Sequence, residues 1–315
     1  MRYRPLGTSG CKVSSIALGS WLTLGSSVDQ ATTTTLVRAA LDGGVNFFDT
    51  ADIYARGEAE LALGRAIGGV RRQDLVLATK LFWPMSENVN DKGLSRKHVM
   101  ESCHASLKRL GTDYVDLYQC HRPDPETPVE ETVRAMEDLV RHGKVLYWGV
   151  SVWSGPQIEA ACEVADRTGG FRPVTNQPEY SFVQRGIEDE VMPTSDRLGL
   201  SQIVWSPLAQ GLLTGKYAGG RVPPGSRGAD AQRNRFLMPL LTEANLARAA
   251  HMGRVAAELG ITPAQLALAW VLRRREVSAA IVGATRVEQV RENLAAADVD
   301  LSPETIARLE AAPAS

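Results

Sequence analysis

The chain has 315 residues, of which 44% are hydrophobic, 23% charged and 6% aromatic. This composition is typical of a globular protein and excludes a disordered chain, a collagen-like chain and a small disulfide scaffold. The 35 basic and 36 acidic residues give a net charge of −1, which carries no electrostatic signature of nucleic-acid or membrane binding.

The N-terminal segment lacks the apolar run of a signal peptide, and no stretch reaches the ~20 apolar residues that span a bilayer. The cysteines show neither a CxxC spacing nor a Cys/His cluster; they are Cys11, Cys103, Cys120 and Cys162. We therefore expect free thiols, a cytoplasmic location and no metal site.

Short apolar runs rich in β-forming residues alternate with amphipathic helical segments along the chain. Eight strands are predicted, over residues 15–18, 45–49, 75–79, 114–118, 145–150, 174–177, 203–205 and 279–282. Three of the intervening helices have clear start signals, with N-caps predicted at Thr127, Thr262 and Ser302, each followed by proline. Glu130 and Gln265 would complete capping boxes with the first two. A left-handed residue is expected after three helices, at Gly111, Gly143 and Gly199.

Strands that alternate with helices pair in parallel through right-handed crossovers, and eight such units close into a (β/α)8 barrel. The alternative is an open doubly wound sheet, whose dinucleotide-binding version carries G-x-G-x-x-G after the first strand. Here the first strand leads into the sequence GSWL at 19–22, which favours the barrel. We expect residues 1–315 to form one TIM-barrel domain with an N-terminal hairpin and an additional C-terminal helix.

Four polar side chains stand at or just after three successive predicted strands, where a barrel carries its active site. They are Asp49, Tyr54, Lys80 and His121. A phenol has a pKa near 10, and a buried ammonium beside it would lower that pKa toward the range of an efficient acid. Asp49 can pair with Lys80, which would otherwise resist burial as a cation. Such a group suits the protonation of a carbonyl oxygen while hydride reaches the carbon.

Each of these residues also has a structural interpretation. Asp49 could cap a helix, and Lys80 could be a satisfied charge at a strand end. His121 could be structural and Tyr54 a surface phenol. Their coincidence at successive strand ends favours a site. The segment 211–216 is similar to a phosphate-binding loop, but it is one residue short and lacks the following Ser or Thr.

The sequence resembles the aldo-keto reductases over nearly its whole length, from Leu6 to about Leu309. The most specific matches are FDTADIY at 48–54, ATK at 78–80, WSPL at 205–208 and GLLTGKY at 211–217. GLSRKH at 93–98, the segment 122–136 and YWG at 147–149 are similar to one branch of that family, which contains the voltage-gated potassium channel β-subunits and their bacterial relatives.

This resemblance implies a barrel that binds NADP(H), with Tyr54 as general acid/base and Lys80 tuning its pKa. It implies further that Asp49 pairs with Lys80 and that His121 orients the carbonyl. The channel-subunit branch often has Asn at the His121 position, so the histidine favours catalysis. The branch also tends to have Gln where this chain has Ser27.

The resemblance assigns cofactor contacts to Ser20, Trp21, Asp49, Ser151, Gln177, Trp205, Ser206, Pro207, Leu208, Gln210, Lys216, Arg227, Gly283, Thr285, Arg286, Gln289, Glu292 and Asn293. Gln177 is expected to bind the nicotinamide carboxamide, with Ser151 beside it, and Trp205 to stack on the ring. Thr285 and Arg286 suit a 2′-phosphate at a helix N-terminus, although Arg286 could also be a solvated charge.

Aromatic residues follow the first, third and fifth strands, at Trp21, Trp83 and Trp153. They either wall a substrate pocket or pack at its rim. The expected substrate contacts are Trp21, Tyr54, Trp83 and His121.

The predicted function is NADPH-dependent reduction of small aldehydes or ketones to alcohols. One alternative is a regulatory module like the channel subunits, which binds NADP(H) with little turnover. Another is a sugar-phosphate isomerase barrel without nicotinamide. A homotetramer or octamer is expected by analogy with the same branch.

Overall fold

The computed structural model describes residues 1–231 and 233–311; the last residues of the predicted domain, 312–315, lie outside this part. After a hairpin of β1 (Tyr3–Pro5) and β2 (Lys12–Ser14), eight parallel strands close into a barrel. They are β3 (Ile16–Gly19), β4 (Phe47–Asp49), β5 (Val76–Leu81), β6 (Val115–Cys120), β7 (Val145–Val150), β8 (Thr175–Asn176), β9 (Ser201–Val204) and β10 (Val277–Val282). All eight predicted strands are present, with ends displaced by at most two residues.

Helices follow the barrel strands along the chain. They are α1 (Gln30–Asp42), α2 (Glu58–Ala66), α3 (Arg96–Leu110), α4 (Val129–Arg141), α5 (Gly155–Thr168), α6 (Val191–Leu198), α7 (Glu243–Glu258), α8 (Pro263–Leu272), α9 (Val287–Ala295) and α10 (Pro303–Glu310). The strand order around the barrel is β10-β3-β4-β5-β6-β7-β8-β9. This architecture confirms the predicted (β/α)8 fold, with its N-terminal hairpin and additional C-terminal helix.

The hairpin closes the end of the barrel at which the strands begin. Leu6, in its turn, and Val13, on β2, are fully buried in one apolar cluster with Ala17, Phe47 and Leu117 from the barrel strands. Because the hairpin covers this end, the polar side chains at the opposite end form the face open to ligands.

The pleat of the strands separates an apolar layer from a polar layer inside the barrel. Side chains alternate between the two faces of a strand. Val76 and Ala78 of β5 belong to the interior cluster, so Lys80 continues the same face. Asp49 pairs with Ala78 in the register of β4 and β5, and this places its carboxylate near Lys80.

The helix starts confirm two of the three predicted N-caps. Thr262 and Gln265 form a reciprocal capping box, and Ser302 caps α10. The prediction for Thr127 is wrong: α4 begins at Val129 without a side-chain cap. The Thr127 hydroxyl instead donates to Asp124 at 2.8 Å, which removes it from the helix end.

The remaining local expectations concern glycines, cysteines and membrane spans. The glycines predicted to follow helices are left-handed, with φ of 67°, 66° and 84° at Gly111, Gly143 and Gly199. All four cysteines are free. No single helix of the described residues is long and apolar enough to cross a membrane; α7 and α8 pass that test only as a pair bent by 98°.

Thr262→Ala removes one side of the α8 capping box and should lower the free energy of unfolding by about 1 kcal/mol. The hydroxyl accepts the backbone N–H of Gln265 at 3.2 Å, and alanine leaves that donor without a partner. Urea unfolding measures the change. Thr35→Ala, on the exposed face of α1, is the control and should shift stability by less than about 0.5 kcal/mol. Equal effects of the two substitutions would contradict the capping role.

Candidate active site

A buried ion pair lies at the centre of the polar end of the barrel. The Lys80 ammonium is fully buried and donates to Asp49 Oδ1 at 2.6 Å and to the Thr50 carbonyl at 2.7 Å. Its third contact is the Tyr54 hydroxyl, 3.4 Å away. The structure therefore brings together three of the residues singled out from the sequence.

His121 completes this group from the end of β6. Its ring meets the Tyr54 ring edge-on, with centroids 5.6 Å apart. Burial, and then the positive charges of Lys80 and Arg122, hold the pKa of His121 well below its usual range. The imidazole is therefore neutral at physiological pH, with one N–H to donate.

The charges around Tyr54 act in opposite directions. Burial raises the pKa of Tyr54 above its ordinary value, while the Lys80 ammonium lowers it. Burial alone would lower the pKa of Lys80, but the Asp49 carboxylate and Tyr54 together raise it, so Lys80 stays protonated. The sequence-based expectation of a lowered Tyr54 pKa is wrong for the net direction and right for the effect of Lys80.

The turn that carries Tyr54 is strained. Ala55 and Arg56 adopt left-handed conformations, with φ of 48° and 51°, which non-glycine residues rarely adopt. Next to the turn, Asp52 is fully buried and accepts from Ser102 at 2.9 Å and from its neighbouring backbone N–H at 2.6 Å. These bonds hold the turn against α3.

A second buried acid supports the same turn from α2. Glu60 is fully buried, forms a salt bridge with Arg109 at 2.6 Å and accepts from Thr79 at 2.5 Å. Burial, and then the Glu60 carboxylate, raise the pKa of Asp52 to about 7. Sequence analysis missed this cluster, although Asp52 and Glu60 flank Tyr54 by two and six residues.

Backbone strain marks the segments that follow five of the eight barrel strands, β3, β4, β5, β7 and β9. Every non-glycine residue with positive φ among residues 1–231 and 233–311 lies shortly after a barrel strand: Leu22, Ala55, Arg56, Phe82, Val152, Ser206, Ala209 and Gln210. Strain of this kind costs of the order of 1–3 kcal/mol per residue and clusters where ligands are bound. Fold geometry, independently of any motif, therefore places the functional site here.

Amide side chains hold the Asp49 carboxylate from the far side. Gln177 donates to Asp49 Oδ2 at 2.9 Å and to Gln119 at 3.5 Å. The Ser151 hydroxyl donates to the backbone carbonyl of Gln177 at 2.7 Å. Gln119 was missed by sequence analysis; its position two residues before His121, on the interior face of β6, was the available signal.

The segment after β9 contacts the loop that carries Arg227. Trp205, Ser206, Pro207 and Leu208 follow the strand directly, and Trp205 is half-buried. Gln210 donates to the Ser206 hydroxyl at 2.6 Å and accepts from Arg227.

Two arginines of the predicted cofactor set, Arg227 and Arg286, act on the charge of a third member, Lys216. Partial desolvation, and then the charges of Arg227 and Arg286, lower the pKa of Lys216. Within residues 1–231 and 233–311, no salt bridge joins any of the three to an acid. A group of unneutralised cations beside strained backbone is an anion-binding arrangement.

The start of α9 carries the remaining predicted contacts. The Thr285 backbone N–H donates to Gln289 at 2.9 Å, and Thr285 and Arg286 are both exposed. Gly283 is exposed, Glu292 half-buried and Asn293 buried. Directly after β3, the buried Ser20 hydroxyl donates to the Thr50 hydroxyl at 2.8 Å.

Aromatic side chains line the rim. Trp83 is 38% exposed and lies 6.4 Å from the His121 ring. Trp21 contacts Phe236 edge-on at 4.9 Å. Phe236, which sequence analysis did not single out, thus brings the loop after β9 next to the first strand. Trp153 is buried in the apolar core, so the third tryptophan considered as a pocket wall is a core residue.

The fold agrees with the sequence comparison: residues 15–313 match the Aldo/keto reductase family. The chain belongs to this family. It is 46% identical to a probable voltage-gated potassium channel subunit beta of Oryza sativa subsp. japonica, over 99% of this chain and 96% of that protein. A protein of the same name from Arabidopsis thaliana is 46% identical, over 95% and 92%. A putative voltage-gated potassium channel subunit beta of Schizosaccharomyces pombe is 42% identical, over 98% and 92%.

Asp52→Asn should change how stability depends on pH. The folded-state pKa of about 7 lies above the ordinary value of 3.8, so the folded protein keeps a proton that the unfolded chain loses. The free energy of unfolding of the parent protein should therefore fall, relative to the variant, as pH rises from 4 to 7. Three pKa units correspond to about 4 kcal/mol as an upper value.

Urea unfolding between pH 4 and 8 measures this difference. Asp113→Asn removes an exposed acid and serves as the control, with a profile parallel to that of the parent protein. A parallel profile for Asp52→Asn as well would show that Asp52 is ionised in the folded state over this range.

Proposed function

We propose that the protein is an NADPH-dependent reductase that converts aldehydes or ketones to alcohols. The observation that carries this proposal is the buried Lys80 ammonium, held 2.6 Å from Asp49 and 3.4 Å from the Tyr54 hydroxyl, with a neutral imidazole beside it. This arrangement supplies a proton donor, a charge that stabilises the donor after it loses its proton, and a neutral hydrogen-bond donor.

Tyr54 is the proton donor in this proposal. The phenol O–H bond breaks as the proton passes to the carbonyl oxygen, and the resulting phenolate lies beside the Lys80 ammonium. Lys80 stays charged because the Asp49 carboxylate lies 2.6 Å from its ammonium and raises its pKa. General acid catalysis of this kind contributes roughly 10²–10⁴-fold to a rate.

His121 orients the carbonyl and does not protonate it. Its pKa is far below neutrality, so it holds no second proton to transfer. A neutral imidazole donates one hydrogen bond and accepts another. With one N–H aimed at the substrate oxygen, the carbonyl lies between the imidazole and the phenol.

NADP(H) fits the remaining residues of the site and supplies the hydride when bound. The unneutralised cations Lys216, Arg227 and Arg286 suit the phosphates, and the strained backbone at Ser206 and Gln210 lets the chain approach a ligand closely. Gln177 and Ser151 would hold the carboxamide and Trp205 the ring. Ser20 and Trp21, directly after β3, would also contact the cofactor. Pro207, Leu208, Gly283, Thr285, Gln289, Glu292 and Asn293 would line the rest of the cofactor groove.

A second candidate function comes from the names of the relatives. Three proteins 42–46% identical to this chain over nearly its full length are named as channel β-subunits. A regulatory protein of this kind would bind NADP(H) and turn over few carbonyls. Steady-state assays over a panel of aldehydes and ketones separate the candidates, because negligible turnover together with tight NADPH binding favours regulation.

Tyr54→Phe should abolish turnover while NADPH binding stays within about twofold of the parent protein. The substitution removes the transferable proton and keeps the ring, so we expect a rate loss of at least ~10²-fold. Absorbance of NADPH measures turnover, and quenching of tryptophan fluorescence measures binding. Tyr3→Phe, on the exposed hairpin, is the control. Loss of binding together with activity would show that Tyr54 is structural.

Arg286→Gln should weaken NADPH binding and leave NADH binding unchanged. A charged hydrogen bond to the 2′-phosphate contributes about 1.5–3 kcal/mol, so the NADPH dissociation constant should rise roughly 10- to 100-fold. Fluorescence titrations with both nucleotides measure this. Arg291→Gln, an exposed arginine on α9, is the matched control. No quenching of the parent protein by either nucleotide would contradict the cofactor assignment and favour a barrel without nicotinamide.

A further inference from the structure

Arg122 lies at the rim of the barrel directly after His121. It is half-buried, and its Nη1 donates to the His121 carbonyl at 2.6 Å. Its guanidinium carbon is 5.7 Å from the centre of the Trp83 ring, which itself lies 6.4 Å from the His121 ring. Successive contacts therefore link Tyr54 to His121, His121 to Trp83 and Trp83 to the Arg122 guanidinium.

The charge of Arg122 is not neutralised within the described chain. Among residues 1–231 and 233–311, it has no salt bridge to an acid. The nearest acid in sequence, Asp124, is engaged with the Leu94 N–H at 2.7 Å and with the Thr127 hydroxyl at 2.8 Å.

Three other half-buried arginines, Arg4, Arg72 and Arg109, are satisfied by the protein itself. Arg72 pairs with Asp116 at 2.6 Å and Arg109 with Glu60 at 2.6 Å. Arg4 donates to three backbone carbonyls. Burial without a counter-charge is costly for a guanidinium. Arg122 differs from these residues because its remaining N–H groups point to no acceptor of the described chain.

Resting on the proposed reductase function, we propose that Arg122 binds a carboxylate of the substrate, so that the enzyme prefers aldehydes and ketones that carry this anion. The carbonyl oxygen meets Tyr54 and His121, the body of the substrate packs against the exposed Trp83 ring, and the carboxylate reaches Arg122. A planar guanidinium fits a carboxylate through two parallel hydrogen bonds, which a lysine cannot reproduce.

A different role for Arg122 is electrostatic. Burial has the largest effect on the pKa of Tyr54 and raises it, and the Lys80 ammonium lowers it. The positive charge of Arg122 also lowers the pKa of Tyr54, by a smaller amount. If this effect were its whole contribution, replacing Arg122 would slow every carbonyl substrate equally. A role in substrate binding instead affects one member of a matched substrate pair. The two roles therefore predict different kinetics.

The test compares 4-carboxybenzaldehyde with its methyl ester, which has nearly the same shape and reactive group but no charge. The parent enzyme should have the higher kcat/KM for the acid. Arg122→Gln should lower kcat/KM for the acid by about 10- to 100-fold, mainly through KM, as expected for loss of a charged hydrogen bond. For the ester, Arg122→Gln should change kcat/KM by less than about threefold. For the acid, the kcat/KM of Arg122→Lys should lie between those of the parent enzyme and of Arg122→Gln.

Arg65→Gln, an exposed arginine at the end of α2, is the matched control for loss of one positive charge. NADPH titration and thermal unfolding of each variant verify that folding and cofactor binding are intact. Equal loss for acid and ester would overturn this inference in favour of the electrostatic role, while the reductase function stands. No change for either substrate would overturn it as well. Failure of the parent enzyme to reduce any member of a wider carbonyl panel would overturn the proposed function itself.

Discussion

The buried pair of Lys80 and Asp49 is the interaction on which the rest of the site depends. A lone ammonium at a fully buried position would be strongly destabilising, and removing one partner of a buried pair typically costs about 3–5 kcal/mol. The register of β4 and β5 provides the partner, because it sets Asp49 beside the strand that carries Lys80. The ammonium also donates to the Thr50 carbonyl and the Tyr54 hydroxyl, and Gln177 donates to the second oxygen of the Asp49 carboxylate. The charge is therefore satisfied and positioned at once.

Stability and strain occupy opposite ends of the barrel. At the closed end, the hairpin packs Leu6 and Val13 into an apolar cluster of barrel side chains. At the open end lie the non-glycine residues with positive φ, the four candidate catalytic residues and the buried acids Asp52 and Glu60. Left-handed conformations persist where surrounding contacts hold them in place. The salt bridge from Glu60 to Arg109 and the bond from Ser102 to Asp52 provide such contacts for the turn of Tyr54.

The sequence predicted most of the fold because strand and helix patterns depend on local apolar spacing. All eight strands and the four residues Asp49, Tyr54, Lys80 and His121 were identified, since position after a strand end is readable from the chain. What failed depends on contacts distant in sequence or on competition between bonds. The Thr127 hydroxyl could bond either to the backbone N–H groups at the start of α4 or to the Asp124 side chain. In the structure it donates to Asp124.

Loop conformation could not be predicted either. Ala55, Val152 and Gln210 adopt left-handed conformations although they are not glycines, so the sequence does not mark these positions. The net direction of the Tyr54 pKa also required knowledge of its burial, which opposes the effect of the neighbouring charge. The contact of Phe236 with Trp21 joins residues far apart in the chain and follows from how the loop after β9 folds back.

Composition also conceals where the positive charge lies. The chain is nearly neutral, yet four cations that form no salt bridge within residues 1–231 and 233–311 belong to the open end of the barrel: Arg122, Lys216, Arg227 and Arg286. In the strand order, β6 and β10 are four positions apart among eight, so Arg122 and Arg286 follow strands on opposite sides of the mouth.

Under the proposed function, this geometry separates two anions. The phosphates of the cofactor belong to the side of β10 and the carboxylate of the substrate to the side of β6. The nicotinamide of the cofactor and the carbonyl group of the substrate meet between these two sides, above the Lys80 ammonium. Each anion then has its own cation, and neither competes for the charge that Tyr54 needs when it gives up its proton.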